Sequence, residues 1–243
     1  MSNRAIIVLE GPDASGKTTL ARAIKAELND MGKSSQLIHL TYRKNLTPFQ
    51  FTSLSKAFSF EGVTIIDRHW ISEEVYSAIY RSNESNNSTI YSRAWFEMLM
   101  TVPTLYVMCC PTPDKALDSY KSTMAKGISQ LYDVDARLKC VAILYRRLLG
   151  YHEYAGVEFI NKGLGHRIAQ HGGLLHLKTM FPSQFEVLIH DIFESNYSRQ
   201  SAFSVLTKLN ELYDTRDRIM RCAKSRQALL ADRKRLMKLL SPV

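Results

Sequence analysis

The sequence predicts an α/β fold: a parallel sheet of about five strands covered by helices on both faces, followed by a helical C-terminal extension. Three observations carry this expectation. Ile6-Ile7-Val8-Leu9 is a continuous apolar run that opens into the glycine-bounded loop Gly11-Pro12-Asp13-Ala14-Ser15-Gly16-Lys17-Thr18 and then into helical spacing. Apolar runs of strand length then alternate with helical stretches as far as residue 165, the pattern of parallel strands joined by crossover helices. Beyond about Gly165 the pattern changes, with glycine and histidine over 165–173 and helix-forming sequence over 183–240.

In chain order, the first strand runs through 6–9, apolar at every position as a strand buried on both faces requires. Leu20, Ala23, Ile24 and Leu28 recur at helical spacing and predict a helix over 18–31. Residues 35–41 and 62–67 read as the second and third strands. Helical character follows over 70–81 and resumes over 91–100, beyond the polar break 82–88, which reads as a mobile loop. The fourth strand, 103–110, ends at Pro111 and Pro113, because proline offers no ladder donor and restrains the residue before it. Leu138, Val141, Ala142, Tyr145 and Leu148 form one stripe of an amphipathic helix over 134–149, and 157–161 offers a short fifth strand. The division that follows is a core over 1–165, with a lid at about 119–133, and a mainly helical extension over 166–243. No internal repeat or low-complexity tract interrupts it.

The loop from Gly11 to Thr18 matches G-x-x-x-x-G-K-T in full. Gly11 and Gly16 permit a backbone path that turns successive N–H groups inward around phosphate oxygens, at the N-terminus of the following helix. Gly11, Ala14, Ser15, Gly16, Lys17, Thr18 and Thr19 are therefore the expected triphosphate-binding positions. Lys17 supplies a charge for the β- and γ-phosphates, and the Thr18 hydroxyl is placed to ligate Mg²⁺. The implied cofactors are ATP and Mg²⁺.

With 243 residues, 45% of them apolar and 10% aromatic, the chain has the material for a real core. No run approaches the roughly 20 apolar residues of a membrane span and no opening apolar segment follows a basic stretch, so the expectation is a soluble, cytoplasmic protein without a membrane partner. Cys109, Cys110, Cys140 and Cys222 lack the spacing of a zinc site or a disulfide framework and read as free thiols. His166, His171 and His176, interrupted by Gly172-Gly173, likewise lack metal-site spacing.

The net charge of +9 points to polyanionic partners, and its distribution is uneven. Residues 215–240 hold nine Lys or Arg against two Asp, a net of +7. That stretch reads as a basic helix for DNA contact or as a solvated helix face. In the second reading its leucines pack on the core or on a second copy of the chain, which would make a homodimer.

A second constellation follows the third strand. Asp67 and Arg68 stand together at its end, where the acid suits a metal-bound water and the planar guanidinium suits a phosphate. With Glu10 to Thr18 and Asp67 to Tyr76, the chain resembles the thymidylate kinases, whose signatures read approximately E-G-x-D-G-x-G-K-T and D-R-[YFH]-x-x-S-x-x-x-Y. The resemblance extends to Leu131-Tyr132-Asp133 and the helix near Leu149, and fades after about Asn161. It implies a P-loop kinase fold and a P-loop acid, Asp13, that contacts the acceptor sugar's 3′-hydroxyl. It also implies that Arg68 grips the acceptor phosphate, that Asp67 acts on Mg²⁺ through water and that Tyr76 lines the pocket. Arg43 falls near the place of another phosphate-contacting arginine.

Ala14 departs from the family, some members of which carry an arginine there. The transition-state cation is then expected from the lid, which offers Lys121 and Lys126 rather than arginines, with Arg137 just beyond as a substitute. Phe49, Phe51 and Phe58 are open to either base stacking or core packing.

Three activities remain open on this reading. The first is ATP-dependent phosphoryl transfer to a thymidylate-type pyrimidine deoxynucleotide. The second changes the acceptor to 5-hydroxymethyluracil within DNA, as in related P-loop kinases of bacteriophages that carry out DNA modification. Asp13 would there accept a proton from the attacking hydroxymethyl group, and the base would leave the duplex. The third is an NTP-driven switch or nucleic-acid-binding ATPase, against which the Asp67-Arg68 pair argues because a hydrolase has no use for an acceptor clamp.

Overall fold

A computed structural model describes residues 4–40, 55–80, 102–125, 135–149, 185–190 and 199–221. Its elements in chain order are β1 (Ala5–Glu10), α1 (Lys17–Asp30), β2 (Ser35–His39), β3 (Val63–Asp67), α2 (Trp70–Tyr80), β4 (Thr104–Cys109), α3 (Pro113–Ala125), α4 (Asp135–Leu148), β5 (Phe185–His190) and α5 (Arg199–Arg221). The five strands form one sheet in the order β2-β3-β1-β4-β5, and every pairing is parallel. The chain leaves β1 for β2 and β3 on one side and then crosses to β4 and β5 on the other. The switch point therefore lies at the carboxyl end of β1, where open parallel sheets gather their ligands.

The strands behave as their composition requires. Every residue of β1, β3 and β4 is buried, which only a sheet covered on both faces achieves. Alternation sends Ala5, Ile7 and Leu9 into a core with Leu20, Ala21, Ile24 and Leu28 of α1 and Ala202, Val205, Leu206 and Leu209 of α5. Each fully buried Ile or Leu in it contributes about 1.5–3 kcal/mol. The other side chains of β1, ending in Glu10, point to the opposite face, where Ser72 of α2 and Tyr145 of α4 meet Glu10. Helix α1 closes with a hydrogen-bonded turn in which Gly32 (φ 68°) donates to Asn29 O at 2.9 Å and Lys33 to Leu28 O at 2.9 Å.

One expectation is corrected. The stretch over 183–240 is not helical throughout, since Phe185–His190 pairs with β4 as the fifth strand. A short run rich in aromatic and β-branched residues fits strand and buried helix alike by periodicity, and pairing with β4 decides. The strand offered at 157–161 lies outside the described residues. Because β5 completes the sheet and α5 packs on α1, a boundary at residue 165 does not separate the core from an appendage. Of the lid expected at about 119–133, the first part is described. Residues 119–125 are the later turns of α3, which starts at Pro113, where the missing N–H costs nothing and Asp114 complements the helix dipole. Residues 126–133 lie outside the described residues, as do the expected loop at 82–88 and helix at 91–100. No helix among the described residues is long and apolar enough to cross a membrane.

Candidate functional site

The loop after β1 has little freedom. Gly11 adopts φ 149°, and a Cβ there would stand 2.1 Å from the main-chain oxygen of Cys109 at the end of β4. Glycine is required both by conformation and by the approach of two strand ends. Gly16 caps α1 at φ 79°, and the first-turn amides that follow have no intrahelical acceptor. They form the anion-binding end of the helix. Ala14 takes φ 56°, a left-handed conformation uncommon outside glycine, and its carbonyl accepts a 2.7 Å hydrogen bond from the Ser119 hydroxyl of α3. Its side chain packs on Leu117, Tyr120 and Leu138, so α3 and α4 attach directly to the tip of the loop.

Lys17 is only 4% exposed and folds over the loop, donating to Pro12 O and, at 3.1 Å, to Ser15 Oγ. Burial and the nearby Arg68 guanidinium lower it to about 8, against the opposing pull of Asp13 and Asp67. A triphosphate at the loop would add counter-charge beside this cation.

Beside Lys17, the Thr18 hydroxyl donates to Asp67 Oδ2 at 2.5 Å, and His39 Nδ1 lies 2.8 Å from the same oxygen. Burial alone would raise Asp67, but the His39 hydrogen bond, the Lys17 charge and the Thr18 hydroxyl together hold it below its ordinary value. Its other oxygen, Oδ1, is buried with no hydrogen-bond partner among the described residues. An ionised carboxylate with an uncompensated buried oxygen, next to a hydroxyl at the helix start, is the hard-oxygen set that suits Mg²⁺, which keeps several waters and binds one or two protein oxygens besides phosphates. Thr18 and Asp67 thus fit the ion by chemistry.

A second group of contacts is built on Arg68. Its backbone is left-handed (φ 70°), its N–H donates to Leu9 O at 3.0 Å and its guanidinium pairs with Asp13 Oδ1. The guanidinium also lies 5.4 Å from the centroid of the Tyr76 ring. The Tyr76 hydroxyl accepts the Asp13 N–H at 2.9 Å, which ties α2 to the loop. Burial would raise Asp13, but the charges of Arg68 and Lys17 outweigh it and lower the carboxyl. The Arg68 side chain keeps 22% of its surface exposed, against 8% for Asp13.

Of the residues singled out from sequence, the structure brings Asp13, Lys17, Thr18, Asp67, Arg68 and Tyr76 into one cluster, with Gly11, Ala14, Ser15 and Gly16 shaping the loop. Thr19 is exposed on the first turn of α1. Lys121 is exposed on α3, and Arg137 of α4 is exposed with its guanidinium 5.5 Å from the Tyr80 ring centroid. Tyr80 in turn stacks on Tyr76, with centroids 6.0 Å apart. Arg43, Lys126, Phe49 and Phe51 lie outside the described residues, as does the basic stretch beyond 221.

Sequence reasoning gave no role to His39, Glu10 or Ser72, which touch this cluster or brace it. Glu10 and Ser72 stood inside the two quoted signatures, a signal that was present. His39 carried none, because only the pairing of β2 with β3, which sets His39 opposite Asp67, reveals it.

Among solved structures, the YorR protein of Bacillus subtilis in complex with phosphorylated GDP is similar over 86% of this chain and 98% of its own, with 16% identity and a TM-score of 0.50. Deoxyadenosine kinase from M. mycoides with bound dATP is similar over 84% of this chain and 99% of its own, with 13% identity and a TM-score of 0.48. Comparison with family models gives no match, and comparison with curated proteins gives none at a significant level. The parallel sheet flanked by helices matches the P-loop kinase fold.

Proposed function

We propose that the protein is an ATP-dependent kinase that transfers the γ-phosphoryl group to a thymidylate-type pyrimidine deoxynucleotide. The observation that carries this reading is the largely buried Arg68 guanidinium, held on Asp13 and Tyr76 beside the same loop that carries Lys17. A hydrolase has no need of a guanidinium held beside the triphosphate loop.

In this reading the α1 amides and Lys17 hold the donor phosphates, and Thr18 and Asp67 would hold Mg²⁺, which would supply charge neutralisation on the transferring phosphate. Arg68 binds the acceptor phosphate through two parallel hydrogen bonds, and Asp13 orients the acceptor sugar. A phosphate acceptor is already nucleophilic, so positioning and electrostatic stabilisation account for the chemistry and no general base is required. Lys121, Lys126 and Arg137 are the cations available for the transition state.

A second reading, phosphorylation of the hydroxymethyl group of 5-hydroxymethyluracil within DNA, is favoured by the net +7 over 215–240, which suits salt-sensitive contact with backbone phosphates. One assay tests both: labelled ATP offered with free dTMP, other monophosphates, thymidine, and DNA containing thymine or 5-hydroxymethyluracil. The proposal expects label on dTMP. Label confined to DNA selects the second reading, and label released only as inorganic phosphate contradicts both.

A further inference from the structure

The strained backbone of Arg68 needs an external support, and the structure provides one. Arg68 N–H donates to Leu9 O, and the next amide, His69 N–H, donates to Glu10 Oε1 at 2.8 Å. Two consecutive peptides of the bend are thus held by two consecutive residues of β1. Glu10 Oε1 also accepts the Ser72 N–H at 3.2 Å, while Oε2 accepts the Ser72 hydroxyl at 2.6 Å and the Tyr145 hydroxyl at 3.1 Å. The Ser72 and Tyr145 hydroxyls are themselves 2.8 Å apart.

His69 immediately precedes α2, and Ser72 is its third residue. Glu10 therefore caps α2 from another element, where an anion complements both the orphan amides and the helix dipole. It is fully buried, as is Tyr145, and Ser72 is buried to 8% exposure. A wholly buried carboxylate costs folding free energy unless each oxygen is satisfied, and four hydrogen bonds from three residues satisfy this one. None of those bonds reaches the donor loop's own phosphate-binding amides. What they fix is the bend that aims residue 68 and the start of the helix that carries Tyr76.

We infer that Glu10, braced by Ser72 and Tyr145, is a positioning residue for the acceptor clamp, holding the left-handed turn at Arg68 so that its guanidinium meets Asp13 and the Tyr76 ring. This rests on the proposed kinase reading for its kinetic consequence but not for its structural one. It makes the β1 glutamate part of acceptor recognition rather than of ATP binding, although Glu10 directly precedes the phosphate-binding loop. Because Tyr145 belongs to α4, it also ties the clamp to the helix that follows residues 126–134.

The test compares wild type with Glu10→Gln and Tyr145→Phe, each checked for folding by circular dichroism. Glutamine preserves shape and can still accept the two amide hydrogens, but it removes the charge. The expected result for Glu10→Gln is an acceptor KM raised about tenfold or more, the scale of losing charge-assisted hydrogen bonding, with the Kd for ATP changed less than twofold. Tyr145→Phe removes one of the two hydroxyl donors to Oε2 and gives the same split at about threefold.

An acceptor KM unchanged in both variants, or a parallel loss of ATP affinity, overturns the inference. A second measurement needs no turnover: the side-chain ¹⁵N resonance of Arg68 in the full-length protein. Faster guanidinium hydrogen exchange in Glu10→Gln, or in Tyr145→Phe should Glu10→Gln not fold, supports the inference. Exchange identical to wild type overturns it. A wild-type protein that phosphorylates no acceptor, with variants that still show the faster exchange, refutes the kinase reading and leaves the positioning role standing.

Discussion

Replacing Gly11 by alanine isolates the physical demand made by the phosphate-binding loop, because Gly32 offers a control. Both glycines have positive φ, 149° and 68°, but the added Cβ meets different surroundings. At Gly32 nothing lies within 4 Å, whereas at Gly11 the Cβ would sit 2.1 Å from Cys109 O and 3.0 Å from Cys109 C. Backbone at the end of a paired, fully buried strand cannot swing aside as a flexible side chain would. Gly32→Ala should cost about 1 kcal/mol, the penalty of a left-handed non-glycine residue less the entropy lost by the unfolded chain.

Gly11→Ala adds to a backbone penalty of about 1–3 kcal/mol an overpacking penalty of similar size, for a total of about 2–6 kcal/mol. That is a large part of a typical stability of about 5–15 kcal/mol. Urea unfolding of the two variants measures the difference, and titration with a non-hydrolysable ATP analogue measures the loop. The expected result is a Gly11→Ala protein at least about 1 kcal/mol less stable than Gly32→Ala and, at temperatures where it remains folded, weaker in nucleotide binding. Equal stabilities with unchanged nucleotide affinity would refute the reasoning.

Two further outcomes follow from the same geometry. Asp67→Asn removes the charge that balances the Thr18 and His39 contacts and the buried Oδ1, so half-saturation by Mg²⁺ in ATP binding should move up about tenfold or more, with folding retained. An unchanged Mg²⁺ titration would exclude Asp67 from the metal site. Glu10 supplies a pH test, since burial raises it above 4.5 and the native state then holds more protons than the unfolded chain over the interval from about 4.5 to the native value. Its contribution to stability is greatest at acid pH and declines as pH rises through that interval. Glu10→Gln does not titrate there, so the stability of wild type relative to this variant should fall in urea unfolding as pH rises from the ordinary carboxylate range, and a gap that is constant or widens contradicts it.

Much of the sheet was legible in the sequence because its inner strands are apolar at almost every position, and because glycine and proline punctuate them. The ends of β1 and β3 were legible for a different reason. Gly11, Gly16, Lys17 and Thr18 lie at the fixed spacing of one motif, and Asp67-Arg68 follows a buried strand directly. What escaped was set by tertiary partners. Phe185–His190 becomes a strand because β4 has an unpaired edge there, which no local pattern announces. His39 matters through its register opposite Asp67, and Ser119 through the carbonyl of Ala14, 105 residues earlier. Pro113, read as the end of a strand, is also the first residue of α3, two roles that the same fixed φ serves.

The central claim is that one crevice holds a donor triphosphate and an acceptor gripped by residue 68, and Arg68→Ala tests it most directly. The measurement is paired: the Kd for ATP and the kcat/KM for the acceptor in the same preparation. Loss of a bidentate charged contact should lower acceptor kcat/KM about a hundredfold while ATP binding changes by less than about threefold. Equal losses on both sides, or an acceptor used as well as by wild type, would contradict the account.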